Sequence, residues 1–129
     1  MASGYTGLHL RCPLEKTHSM EVTVPSPGVS AGDLYLAGEV TGVWAEDYDT
    51  GDTGVLIYKA EKIVVPCVAS TTSVDFAVGE PVYYDVADAE VNQTASGNHL
   101  CGCVLVAATV GDEAVEIELD GILQLTRGT

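Results

Sequence analysis

The sequence predicts an all-β domain, a small closed barrel or sandwich with an N-terminal arm. Three observations predict it. Short stretches in which apolar and polar residues alternate recur at intervals of about ten residues, the spacing of strands joined by tight turns. The apolar content of 47% comes mainly from Val and Ala, with one Phe, one Trp and 14 Gly, a composition that suits strands and turns better than long helices. No stretch sustains a helical period; residues 72–78 allow one short helical turn at most.

Met20, Val22 and Val24 alternate with Glu21 and Thr23, a half-buried strand that ends abruptly at Pro25-Ser26-Pro27-Gly28. Leu34 and Leu36 share one face of a second strand and Tyr35 takes the other. Gly38 interrupts it, and Val40 to Ala45 resumes around Gly42 and Trp44. A polar, turn-rich stretch runs from Glu46 to Gly54. Val55 to Tyr58 and Ile63 to Ala69 read as two strands joined by the charged link Lys59-Ala60-Glu61-Lys62. Pro81 to Asp85 is a strand opening on a proline, which suits a strand start or an edge. Ala87 to Ala89 turns, Glu90 to Gln93 returns, and Ser96-Gly97-Asn98 turns again. His99 to Ala108 is apolar on both faces, as a strand buried on both sides would be. Val115, Ile117 and Leu119 alternate with Glu116, Glu118 and Asp120, the clearest strand with one wet face. The organisation expected is an arm over residues 1–19, a barrel over 20–120 and a tail over 121–129.

A chain of 129 residues suits one compact domain. Nineteen acidic residues against five basic ones give a formal charge of −14, which repels nucleic acid and anionic membrane surfaces alike. Such a charge either keeps an abundant protein soluble or awaits a partner with a basic patch. Residues 1–20 hold Arg11 and Lys16 among Gly, Ser and Thr, so the arm either touches something the body does not or is a floppy terminus. Met1 to Tyr5 shows no basic region followed by an apolar run, and no stretch approaches the length of a membrane span. Without a secretory signal, Cys12, Cys67, Cys101 and Cys103 are expected as reduced thiols, and Asn92-Gln93-Thr94 as an ordinary turn-flanking sequence rather than a glycan acceptor.

Two clusters invite a metal and neither has the right spacing. In Asp47-Tyr48-Asp49-Thr50-Gly51-Asp52 the glycine falls one place early for a calcium loop and no Glu closes it, so an acidic turn is expected. His99, Cys101 and Cys103 share one face of an extended strand, but successive same-face residues stand about 6.6 Å apart, too far for one zinc ion to gather all three easily. Cys101 and Cys103 are therefore expected as core fillers. No nucleophile elbow, phosphate loop or dinucleotide fingerprint is present, so neither catalytic residues nor a cofactor are expected, and the chain is read as no enzyme.

The run Val78-Gly79-Glu80-Pro81-Val82-Tyr83-Tyr84-Asp85, then Ala95-Ser96-Gly97-Asn98, then Leu100-Cys101-Gly102-Cys103-Val104-Leu105-Val106-Ala107 resembles the hallmark of a family of tailed-phage capsid cement, or head decoration, proteins. Val29-Ser30-Ala31-Gly32-Asp33 and Gly51-Asp52-Thr53-Gly54-Val55 sit where that family has its Gly-acid turns. The resemblance spans roughly Val22 to Leu119 and is stronger in the second half.

The resemblance implies a β-barrel that oligomerises, typically as a trimer, over junctions between capsid subunits, on the outer capsid surface of a virion made in the host cytoplasm. It implies the major capsid protein and copies of itself as partners; the acidic charge, not the resemblance, is what leaves out nucleic acid and membrane. It also implies an arm that reaches across the capsid protein, for which Tyr5, Leu8, Leu10, Arg11 and Lys16 are the candidate contacts. Residues 1–24, fully extended, would reach up to roughly 80 Å. Removing residues 1–19 is expected to leave the barrel's melting unchanged while weakening capsid binding. The family usually has aliphatic residues at Cys101 and Cys103, in keeping with core filling. The alternative is a virion-displayed carbohydrate- or host-binding module, with Trp44, Tyr48 and Tyr58 as its aromatic platform; a small metal-binding domain or enzyme around His99 and the cysteines is the other class. The far-ultraviolet circular dichroism spectrum should be strand-dominated, and a helix content above about a quarter, near the globular average, would contradict the fold.

Overall fold

A computed structural model describes residues 8–67, 75–109 and 112–123. They form β1 (His9–Leu10), a 3-10 turn (Leu14–Lys16), β2 (Thr17–Thr23), β3 (Leu34–Ala37), β4 (Val40–Trp44), β5 (Thr53–Pro66), β6 (Pro81–Asp85), β7 (Glu90–Asn92), β8 (His99–Val106) and β9 (Ala114–Asp120). All pair antiparallel in one sheet of order β3-β4-β5-β9-β8-β6-β7, with β1 and β2 also on β5. The sheet curls until Cys67, just past β5, bridges Val91 of β7, which nearly closes it into a barrel. The buried Tyr84 hydroxyl of β6 donates to the Leu34 carbonyl at 3.2 Å and holds β3 against the same side.

The link expected between two strands is instead the middle of one. β5 runs unbroken for 14 residues through Lys59, Ala60, Glu61 and Lys62. Glu61 and Lys62 face solvent, which makes the run look like a loop, but Ala60 and Ile63 are buried and only the register with β9 slips between them. One bulge accommodates the charged pair without breaking the strand.

Adjacent residues of β4 and β5 point into two different cores. Val43 and Ile57, register partners, face the barrel interior with Ile63, Val65, Val82, Val91, Val104, Ile117 and Leu119. The next pair, Trp44 and Leu56, faces the opposite way into a smaller cluster with Val24, roofed by Met20, Val22, Tyr35 and Tyr48. The alternation of β2 and of β3 follows from this: Leu36 packs on the barrel core while Tyr35 packs on the outer cluster. Trp44 is fully buried, its ring centroid 5.1 Å from that of Tyr35 and 5.9 Å from that of Tyr48. Full burial of one large apolar side chain contributes roughly 1.5–3 kcal/mol relative to exposure.

The arm region is tied down along β5. His9 and Leu10 pair with Val64 and Ile63, and Thr17, His18 and Ser19 pair with Ala60, Lys59 and Ile57. Residue 19 therefore falls inside β2. Deleting residues 1–19 would strip backbone partners from one side of β5, so a loss of stability replaces the expected unchanged melting.

β8 departs from the doubly buried strand that its composition suggests. It ends at Val106, which is 53% exposed, and its outer face is partly open. Against β6 its register slips, Val82 opposite Gly102 and Tyr83 opposite Leu100, so Cys101 is an extra residue that breaks the alternation. Gly102 lies so close to the Glu118 carbonyl of β9 that an added methyl group would overlap that oxygen. Gly102→Ala should force β8 and β9 apart, costing about 1–3 kcal/mol and lowering the melting temperature by several degrees; an unchanged melting temperature would refute this strand contact.

Candidate interaction surface

The five arm candidates are placed differently. Tyr5 lies outside the described residues. Leu8 and Leu10 turn inward and pack against the barrel core. Arg11 and Lys16 face solvent. The Arg11 backbone N–H donates to the Lys62 carbonyl at 2.9 Å, which fixes where the guanidinium leaves the barrel. The 3-10 turn positions Lys16: its N–H donates to the Pro13 carbonyl at 2.9 Å, and the Thr17 hydroxyl closes the turn by donating to the Leu14 carbonyl at 2.6 Å. Leu14 is 73% exposed, an apolar side chain on the surface that the sequence does not mark because the segment has no period.

Strand pairing then brings in cations from elsewhere in the chain. His18 stands opposite Lys59, and Arg11 beside Lys62. A cleft of about 220 Å³ at His18 and Lys59 is lined, together with them, by Glu15, Lys16, Ala60, Glu61 and Glu118. Lys59 Nζ lies 3.7 Å from Asp120 Oδ2, with both groups partly in water, so the pair contributes little to stability. Glu118 also lines a second depression of about 330 Å³, formed with Pro81, Leu100, Gly102, Cys103, Asp120 and Leu123. A largely apolar groove thus adjoins a charged cleft, the mix of surfaces found in protein interfaces.

The other candidates have structural work to do. The Asp47–Asp52 region lines a hollow of about 390 Å³, but its carboxylates hold loops together. Asp47 accepts from the Ala31 N–H at 2.8 Å, Asp52 from the Asp49 N–H at 2.9 Å, and Asp33 from the Ser30 N–H at 3.0 Å. His99, Cys101 and Cys103 do not share a face. Cys101 is buried in the core with its thiol 3.7 Å from the Val82 carbonyl, Cys103 lines the outer groove, and His99 Nε2 lies 3.6 Å from Glu39 Oε1. The bulge at Cys101 separates them, a feature invisible to a count of alternate residues. Among the described residues no group of three or more His, Cys, Asp or Glu is placed to hold a metal ion. Cys12, Cys67, Cys101 and Cys103, all among the described residues, are joined in no disulfide. The aromatic candidates Trp44 and Tyr48 belong to the outer cluster, where the Tyr48 hydroxyl accepts from the Val55 N–H at 3.1 Å. Tyr58 is half-buried, its ring 6.3 Å from that of His18.

Fold and surface together define a compact β-barrel module with its aromatic and thiol groups largely turned inward and an apolar groove beside a charged cleft outside. The profile of the phage cement proteins matches residues 14–119, which takes in all of the barrel from the 3-10 turn almost to the end of β9, and the chain belongs to that family. It is accordingly a structural protein associated with a phage capsid. No curated protein matches the chain.

Two buried groups contribute to the response to alkali. Burial, and next the negative charges of Asp33 and Asp85, push the Tyr84 hydroxyl from 10.0 up to about 12. Burial alone pushes the Cys101 thiol from 9.0 up to about 12. In both cases the unfolded chain releases the proton first, so the stabilisation is complete below about pH 9 and is lost as pH rises toward 12. The melting temperature should fall across that window, and Cys101→Val should fall less steeply. Parallel slopes would show that the thiol is not held neutral by the core.

Proposed function

We propose that this protein binds the outer surface of an assembled phage capsid and cements the shell at junctions between capsid subunits, acting as a homotrimer on the major capsid protein and without enzymatic activity. The observation that carries the proposal is the family match over residues 14–119, since it covers the folded body and not one short motif. Residues 1–19 would form the capsid-facing segment, with Tyr5, Leu8, Leu10, Arg11 and Lys16 its candidate contacts; for Leu8 and Leu10 the support is that they anchor the segment whose Arg11 faces outward.

The chemistry asked of such a protein is purely physical. A pressurised shell opens where subunits part, and a rigid body bridging them adds interface that must be lost first. A protein that binds the lattice and not the free subunits stabilises the lattice by mass action, by about 2.7 kcal/mol when its free concentration is a hundred times its Kd. The fold suits this: its strands form a single sheet, and the chain's charge of −14 disfavours binding to packaged nucleic acid.

The protein should co-sediment with capsids that lack it, should fail to bind unassembled capsid subunits, and should raise the temperature at which the shell opens. Native mass spectrometry of the free protein should give three copies. Absence of binding to any capsid would overturn the cement function, and binding without a change in shell opening would reduce it to decoration alone.

A further inference from the structure

We propose that the corner built from Arg11, Lys16, His18, Lys59 and Lys62 is the face through which this protein docks, and that its partner presents an acidic protein surface there. The inference rests on the capsid-associated function and names the contact that would carry it.

Charge is distributed unevenly over the molecule. Of the five Lys and Arg residues, Arg127 lies outside the described residues and the other four all sit at this corner. They come from two stretches 40 or more residues apart in sequence, joined by the pairing of β1 and β2 with the middle of β5. The exposed side chains of Arg11, Lys16 and Lys62 make no ion pair among the described residues. Glu15, Glu61, Glu118 and Asp120 share the corner, so it is close to neutral and the negative charge lies over the rest of the barrel. The turns around Asp47, Asp49, Asp52, Asp85 and Asp88 carry carboxylates without a Lys or Arg nearby in sequence.

The consequence is orientational. Among the described residues Lys and Arg stand only at this near-neutral corner, so an acidic surface is repelled by the acidic faces of the barrel and least of all here, where Arg11, Lys16 and Lys62 reward the right pose. Leu14, 73% exposed beside Lys16, supplies apolar contact within the same patch. Nucleic acid would also seek the cations, but it must bring a dense line of phosphates up to a chain of net charge −14.

The test is a charge reversal in the full chain, Lys16→Glu with Lys62→Glu, against Glu46→Lys as control. Glu46 is exposed and lies at the other end of β5, next to Ala45, whose N–H donates to the Val55 carbonyl. Circular dichroism and melting establish that each variant is folded. Binding to purified capsids should weaken at least tenfold for the double reversal and stay within about twofold for the control. Wild-type binding should also weaken as salt rises, because exposed charges are screened within about 10 Å at 0.1 M. If wild type and the double reversal bind capsids alike, the corner is not the docking face and the cement function stands without it. If wild type binds no capsid, the capsid function fails and this inference with it. Retention of wild type, but not of the double reversal, on immobilised duplex DNA would assign the cations to phosphate and overturn the acidic-protein partner.

Discussion

Fourteen residues of extended backbone in β5 need hydrogen-bond partners on both sides, and the rest of the structure is arranged around meeting that need. One side is taken by β2 and then β1, the other by β4 and then β9. Every other strand reaches the barrel through one of these. β3 is held by β4, while β8, β6 and β7 follow from β9 until the bridge from Cys67 to Val91 brings the sheet back to the end of β5. The strand is long enough to serve all four neighbours only because the charged pair Glu61 and Lys62 is absorbed in a register slip.

The same strand divides the apolar residues between two cores. Ile57 looks into the barrel and Leu56 away from it, and each is matched by its partner on β4. Placing Trp44 with Leu56 outside the barrel leaves the interior mainly to Val, Ile and Leu, with Phe76 and Tyr84 the aromatic side chains among them, a filling suited to a small closed sheet. The outer cluster fastens β2 and the loop around Tyr48 to the barrel wall. Its aromatic rings therefore serve packing, and the one tryptophan offers no exposed face to a sugar.

A structural protein of a capsid needs a stiff body and a face that others recognise, and β5 contributes to both. Its central residues lie between buried positions on either side, yet Lys59 and Lys62 emerge there next to Arg11 and Lys16. Glu118 of β9 lines the cleft between these cations and the apolar groove beside Cys103. Binding there would act in part on Lys59 and Lys62 of the strand that organises the fold, and in part on Arg11 and Lys16, which lie beside it outside the strands.

The strand set was legible in the sequence because burial on one face writes itself as alternation: Met20 to Val24, Leu34 to Leu36, and Val115 to Leu119 behave as their period requires. The family was legible too, since Gly-acid turns and the Tyr83-Tyr84-Asp85 strand keep their order along the chain. Three things were decided only by the tertiary structure. β5 is one strand rather than two, because a bulge lets two charged residues pass through a paired strand without ending it. His99, Cys101 and Cys103 part company, because the slip at Cys101 turns its thiol inward and leaves Cys103 in the groove. The charged corner exists because strands distant in sequence pair side by side. Local sequence determines which way a side chain faces along its own strand, whereas the neighbour it meets is set by register, and register is a property of the closed sheet.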